Sequence, residues 1–255
     1  MRQKLLLVFA VALALIWTGS QARAHVLWLL VEQSSPKVGK PVKVDIGWGH
    51  KFPKDEDIKE GRLGAIKALG PDGQEFPLKK ISTTQYEFTP PKAGVYVVSA
   101  QVVPGFLSKT AEGFKLQKKT EVPGAVSCFH FDMSTKTVLN VGGPRQGFDR
   151  SVRTALEIVP RKNPNTLKAG DTLPVKVYFE GAPLAGAEVK AAQEKPADSK
   201  KPFFLVGKTN AQGEVQVKLD QPGKWLLVTF HKTPYQPAAE CDDNRYTASL
   251  TFIVR

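Results

Sequence analysis

Val42, Val44, Ile46 and Trp48 alternate with Lys43, Asp45 and Gly47, and Ala248, Leu250, Phe252 and Val254 do the same near the other end of the chain. A two-residue period puts successive side chains on opposite faces of an extended backbone, so each set lines one face of a half-buried strand. No long stretch carries the 3.6-residue period of a helix. The chain also has 19 prolines and 21 glycines, and these cut the apolar runs into short lengths separated by turns. Short β-branched and aromatic runs punctuated in this way predict an all-β chain built of sandwiches.

A weak internal repeat predicts two of them. The stretch at 35–49, SPKVGKPVKVDIGWG, is similar to TLKAGDTLPVKVYFEG at 166–181, and PPKAGVYVVSAQV at 90–102 is similar to LDQPGKWLLVTFH at 219–231. Each time a glycine turn feeds a strand. The boundary is placed around Val159 to Pro164, where VPRKNP breaks the pattern, giving an N-terminal β-sandwich domain over 25–158 and a C-terminal Ig-like domain over 165–255. In the second half, EGAPLAGAEVKAA, TNAQGEVQVKL and PGKWLLVTF follow one another in an order that resembles transthyretin-like members of the Ig-like folds. That resemblance concerns the fold and carries no function.

Residues 1–24 read as a cleaved signal peptide. Arg2 and Lys4 form a positive start, Leu5 to Trp17 an apolar core, and Ala22-Arg23-Ala24 a small-residue cleavage site. Thirteen apolar-core positions fall short of the roughly 20 needed to span a bilayer as a helix. The expectation is therefore a periplasmic protein. Cleavage would leave 231 of the 255 residues and remove Arg2, Lys4 and Arg23, taking the formal charge from +12 to +9. The remaining lysines are scattered, with pairs at Lys79-Lys80, Lys118-Lys119 and Lys200-Lys201, and read as solvated faces. No basic module interleaved with stacking aromatics is present, which argues against nucleic acid as a partner. Weak association with an anionic membrane surface is compatible with the charge.

Two cysteines, Cys128 and Cys241, are far apart in sequence. In an oxidising compartment an even pair points to a disulfide. Two thiolate metal ligands, or two buried thiols, are the alternatives, although no Cys-x-x-Cys spacing supports the former.

Cleavage after Ala24 would make His25 the first residue of the exported chain. Such a histidine offers a metal two nitrogens, its α-amine, which ordinarily titrates at about 8, and its imidazole, ordinarily at about 6.5. His50 lies in GWGHKFP, where a loop leaving a strand can aim a side chain, and His231 closes the strand WLLVTFH on the face of Trp225, Leu227 and Thr229. Convergence of His25, His50 and His231 would give a nitrogen-rich site suited to nickel, cobalt, copper or zinc rather than calcium or magnesium. His130, out of phase with Phe129 and Phe131, reads as solvent-facing. Neither a Gly-x-Ser-x-Gly elbow, a His-Glu-x-x-His helix nor a phosphate-binding loop occurs, so no enzyme is expected. The acidic pairs Asp55-Glu56 and Asp242-Asp243 read as solvated loop charges, the second pair with some capacity as hard co-ligands.

Taken together, AHVLWLL, GWGHKFP, KTAEGFKLQKK, SCFHFD and HKTPYQPAAECDDNRYTASLTF resemble a family of bacterial periplasmic proteins, long labelled a domain of unknown function, that is associated with nickel or cobalt uptake. The resemblance implies a non-enzymatic carrier that delivers nickel or cobalt to a membrane uptake transporter, with His25 and His50 as metal-facing positions and His231 as a weaker third. Two other classes stay open. A histidine-brace copper oxygenase also starts with histidine on a sandwich, and an adhesive or protein-binding module would need no metal at all.

Overall fold

The computed structural model describes residues 25–143, 146–196, 198 and 202–255. Residues 1–24, expected to be a signal peptide, and the Lys200-Lys201 pair lie outside the described residues. The strands of the first half are β1 (Val26–Val31), β2 (Val42–Gly49), β3 (Leu63–Leu69), β4 (Glu75–Pro77), β5 (Lys79–Lys80), β6 (Gln85–Phe88), β7 (Gly94–Val102), β8 (Gly105–Thr110), β9 (Gly113–Lys115) and β10 (Ser127–Val141). Those that follow are β11 (Leu156–Pro160), β12 (Thr172–Phe179), β13 (Ala182–Pro183), β14 (Glu188–Gln193), β15 (Phe204–Lys208), β16 (Glu214–Lys218), β17 (Gly223–Pro234) and β18 (Asp243–Val254). Helical structure among the described residues is limited to 3-10 turns at Lys119–Glu121 and Pro164–Thr166, and no described helix is long and apolar enough to cross a membrane. The protein is all-β, as the two-residue period predicts.

Three sheets form. One runs β1-β2-β6-β5, a second pairs β12 with β11, β13 and β16, and a ten-stranded sheet carries strands of both halves in the order β15-β14-β17-β18-β10-β7-β3-β4, with β8 and β9 beside β10. The halves meet in the parallel pairing of β10 with β18, in register from Phe129 opposite Asp243 to Thr137 opposite Thr251. Two apolar cores lie on this shared sheet. The first gathers Leu27, Val44, Tyr86, Val98 and Leu139, so β1, β2 and β6 cover β7 and β10. In the second, Leu156, Ile158, Val175, Leu227 and Leu250 bring β11 and β12 over β17 and β18. The repeat has a structural counterpart, since β2 and β12 belong to the covering sheets and β7 and β17 to the shared one.

β1 holds the key to the site. Its run VLWLLV is apolar without alternation because both faces are covered. Leu27, Leu29 and Val31 enter the first core, while Val26 and Trp28 pack with Ala192, Leu226 and Val228 from β14 and β17. β1 is also an edge strand, and an unpaired edge leaves carbonyls without partners. Here β18 supplies them. Ser249 donates its hydroxyl to the Leu27 carbonyl and Thr251 donates to the Leu29 carbonyl, each at 2.6 Å.

A disulfide links Cys128 at the start of β10 to Cys241 just before β18, 113 residues apart. Beside it, Asp242 receives the Lys119 ammonium at 2.6 Å and the Cys128 amide at 2.8 Å. Both contacts hold its carboxyl below the ordinary range, the Lys119 bond most strongly. Asp243 takes Lys232 at 2.9 Å and Arg245 at 3.7 Å. The capacity of this acidic pair is thus spent on fastening the last loop.

Candidate metal centre

In the antiparallel pairing of β1 with β2, Val26 lies opposite Gly49 and Leu27 opposite Trp48. One step beyond the last pair, the same register sets His25 beside His50. Side chains of paired and diagonal residues share a face, and the rings obey this rule. His25 lies 4.2 Å from the His50 ring by centroids and stacks on the diagonal Trp48 at 4.9 Å with only 10° between the planes.

Glu56 is the third member. A bridge pairs it with Trp48, its amide bonding to the Trp48 carbonyl at 3.0 Å, and this folds the loop after β2 back over the strand end. Its carboxylate oxygen Oε2 then lies 3.2 Å from His25 Nε2. One ligating atom each from His25, His50 and Glu56 lies within 4.8 Å of the others. The His25 side chain is 36% exposed and that of Glu56 56%, so an ion can reach the group from solvent.

The loop is held by Asp55 rather than by packing alone. Its Oδ2 accepts the His50 amide at 2.6 Å and the Lys51 amide at 3.1 Å. Donation from His50 is the largest cause holding the Asp55 carboxyl below its ordinary value. Two glycines make room. Gly49 has φ +131°, and a Cβ there would lie 2.4 Å from Asp55 Oδ2. At Gly47 a Cβ would fall 1.7 Å from Trp28 Nε1, whose N–H donates to the Pro53 carbonyl at 2.9 Å. The GWGHKFP motif is therefore a turn whose glycines admit Asp55 on one side and Trp28 on the other.

Of the residues named from sequence, His25 and His50 come together and His231 does not join them. His231 packs against Phe179 at 4.4 Å and Tyr246 at 6.4 Å in the second half of the molecule. Burial pushes its imidazole below the ordinary value, with the Glu180 carboxylate opposing. His130 is not a free surface group either, since its ring meets Phe106 at 5.0 Å and Tyr235 at 6.0 Å. Asp55 and Glu56 are loop charges as expected, Glu56 well exposed to solvent, and each also has a partner that the sequence did not indicate, since Asp55 accepts the His50 amide and Glu56 contacts His25. Their only sequence signal is closeness to His50, five and six residues on, and the loop geometry that turns them inward has no periodicity to betray it.

The chain belongs to the family described as a domain of unknown function (DUF4198), which matches residues 22–233. No curated protein matches its sequence. Among solved structures, a DUF4785 family protein from Legionella pneumophila shares 11% identity at a TM-score of 0.26, over 87% of this chain and 54% of that one. The chain thus spans about half the length of the Legionella protein. The D0-D1 domain of intimin is 15% identical at a TM-score of 0.23, over 90% of this chain and 99% of that one. Chicken CNTN1 FN1-FN3 domains are 9% identical at 0.24, over 89% and 64%. No activity follows from likeness at this level.

Proposed function

We propose that this DUF4198 member binds a transition-metal ion, nickel or cobalt, in the periplasm and passes it to a membrane uptake transporter without acting as an enzyme. The observation that carries the reading is the convergence of His25, His50 and Glu56 within 4.8 Å. Two imidazoles and one carboxylate suit a borderline divalent ion better than a hard one. Removal of residues 1–24 would add the His25 α-amine as a fourth donor, so the complete site would exist only in the exported chain. Partial exposure fits a carrier, which must release its ion as well as take it.

Isothermal titration of processed protein with nickel and cobalt tests the reading. His25→Ala and His50→Ala should each lose binding by at least tenfold, and Glu56→Gln by less, with unchanged circular dichroism. Adding one residue before His25 should displace the amine by roughly 3.5 Å and weaken binding as well. Equal affinity in all five proteins would remove the metal site. Copper with ascorbate and a polysaccharide should yield no oxidised sugar, and its appearance would replace the carrier by a copper oxygenase.

A further inference from the structure

The second half of the molecule holds a cleft of about 470 Å³ between the 149–161 segment and the β12–β13 turn, lined by Asp149, Arg153, Arg161, Tyr178 and Glu180 among others. That volume suits a small organic ligand. Three observations set the cleft apart. Arg153 and Glu180, with φ of 60° and 50°, are the non-glycine residues with left-handed backbone among those described, and both line it. Non-glycine residues held in that region cluster at binding sites.

Each is locked there. Ser151 accepts the Arg153 amide at 3.1 Å and donates to Glu157 at 2.7 Å, and Glu157 is anchored in turn by the buried Lys136 at 2.6 Å and the Val152 amide at 2.8 Å. The Glu180 amide bonds to the Ala155 carbonyl at 2.7 Å. Glu180-Gly181 forms a two-residue turn between Phe179 and Ala182, where asparagine or glycine would be the cheaper choice.

The third observation is charge. Among the described residues, the exposed Asp149, Arg153, Arg161 and Glu180 side chains line the cleft with both signs and close no hydrogen bond or salt bridge, although Asp149 acts on Lys136 and Glu180 on His231 at longer range. Opposite charges around one cleft, none of them closed into a salt bridge, can receive a ligand that carries both.

We infer that this cleft binds a small zwitterion, a free amino acid or short peptide, with its carboxylate at Arg153 and its ammonium at Glu180, while Asp149 and Arg161 line the rest of the cleft. Arginine provides a planar pair of donors for a carboxylate, and Tyr178, whose ring lies 5.3 Å from the Lys176 ammonium, lines the same cleft. The site is separate from His25 and His50, and nickel binding plays no part in it.

Isothermal titration of the intact protein with triglycine, N-acetyltriglycine, triglycine amide and the common free amino acids decides the matter. Triglycine or a free amino acid should bind saturably, and blocking either terminus should weaken binding at least tenfold. Arg153→Gln and Glu180→Gln should each do the same, while His25→Ala leaves binding unchanged. Glu180→Gly should also abolish binding without lowering the melting temperature, which separates loss of the carboxylate from loss of fold. Absence of saturable binding by every zwitterion, equal binding of the blocked forms, or full binding by the Arg153 and Glu180 variants would overturn the inference.

Discussion

Asp55 shows how one carboxylate can serve a site it does not enter. By accepting the His50 and Lys51 amides it fixes the direction in which the His50 ring leaves the strand, and groups that orient ligands in this way are typically worth about 10–100-fold in metal affinity. Asp55→Ala should therefore weaken nickel binding by roughly that factor in a titration, although Asp55 has no place among the converging donor atoms. Its carboxyl is held below the ordinary value of 3.8, so its contribution is complete above that value and fades as pH falls through the lower folded value. Metal should leave earlier in an acid titration, because protons compete for the two imidazoles. Nickel release should thus precede opening of the loop, as read by the emission of Trp48, whose ring stacks on His25. Simultaneous loss would mean that the loop and the ligands are one unit. His25 and His50 stand out in the sequence because a histidine after an expected cleavage site and a histidine in a glycine-rich loop are both unusual, and the fold brings the two rings together. Glu56 had no signal beyond its closeness to His50, because its place depends on a single bridge to Trp48.

Strand faces were the easiest elements to read. Val42, Val44 and Ile46 are buried, as are Ala248, Leu250, Phe252 and Val254. What periodicity could not convey was the contact of β1 with β18 through hydroxyls. Ser249 and Thr251 look like the polar side of an ordinary half-buried strand, yet both are buried and satisfy the β1 carbonyls. Thr251→Val keeps the volume and removes the donor, leaving the Leu29 carbonyl short of a partner, and should cost about 1–3 kcal/mol in chemical denaturation. A second unforeseen element is the ion pair of Lys136 in β10 with Glu157 in β11, whose side chains are only 2% and 6% exposed. Desolvation pushes the Lys136 ammonium below its ordinary value while Glu157 opposes that fall. Glu157→Ala would leave a buried cation unpaired and free the Ser151 hydroxyl, and should destabilise by about 3–5 kcal/mol. A smaller loss, near that of a surface substitution, would show that water reaches Lys136.

At the scale of the molecule, the two halves share a sheet, and this was the least legible feature. Sequence repeats reveal similar units but not how their strands pair, and the parallel register of β10 with β18 joins positions more than a hundred residues apart. The disulfide reinforces the same junction across 113 residues. Its reduction should cost about 2–5 kcal/mol by releasing a long loop in the unfolded chain, lowering the melting temperature while the circular dichroism stays dominated by strand. This junction also supports the site, since β18 holds the β1 edge and β1 delivers His25. His25, His50 and Glu56 are proposed to hold a transition-metal ion together. Crystals of processed, nickel-loaded protein, measured at the nickel absorption edge, test this most directly. One dominant anomalous peak is expected, bounded by the His25 and His50 imidazoles and the Glu56 carboxylate. A nickel peak at His231 or elsewhere, with none between His25 and His50, would contradict it.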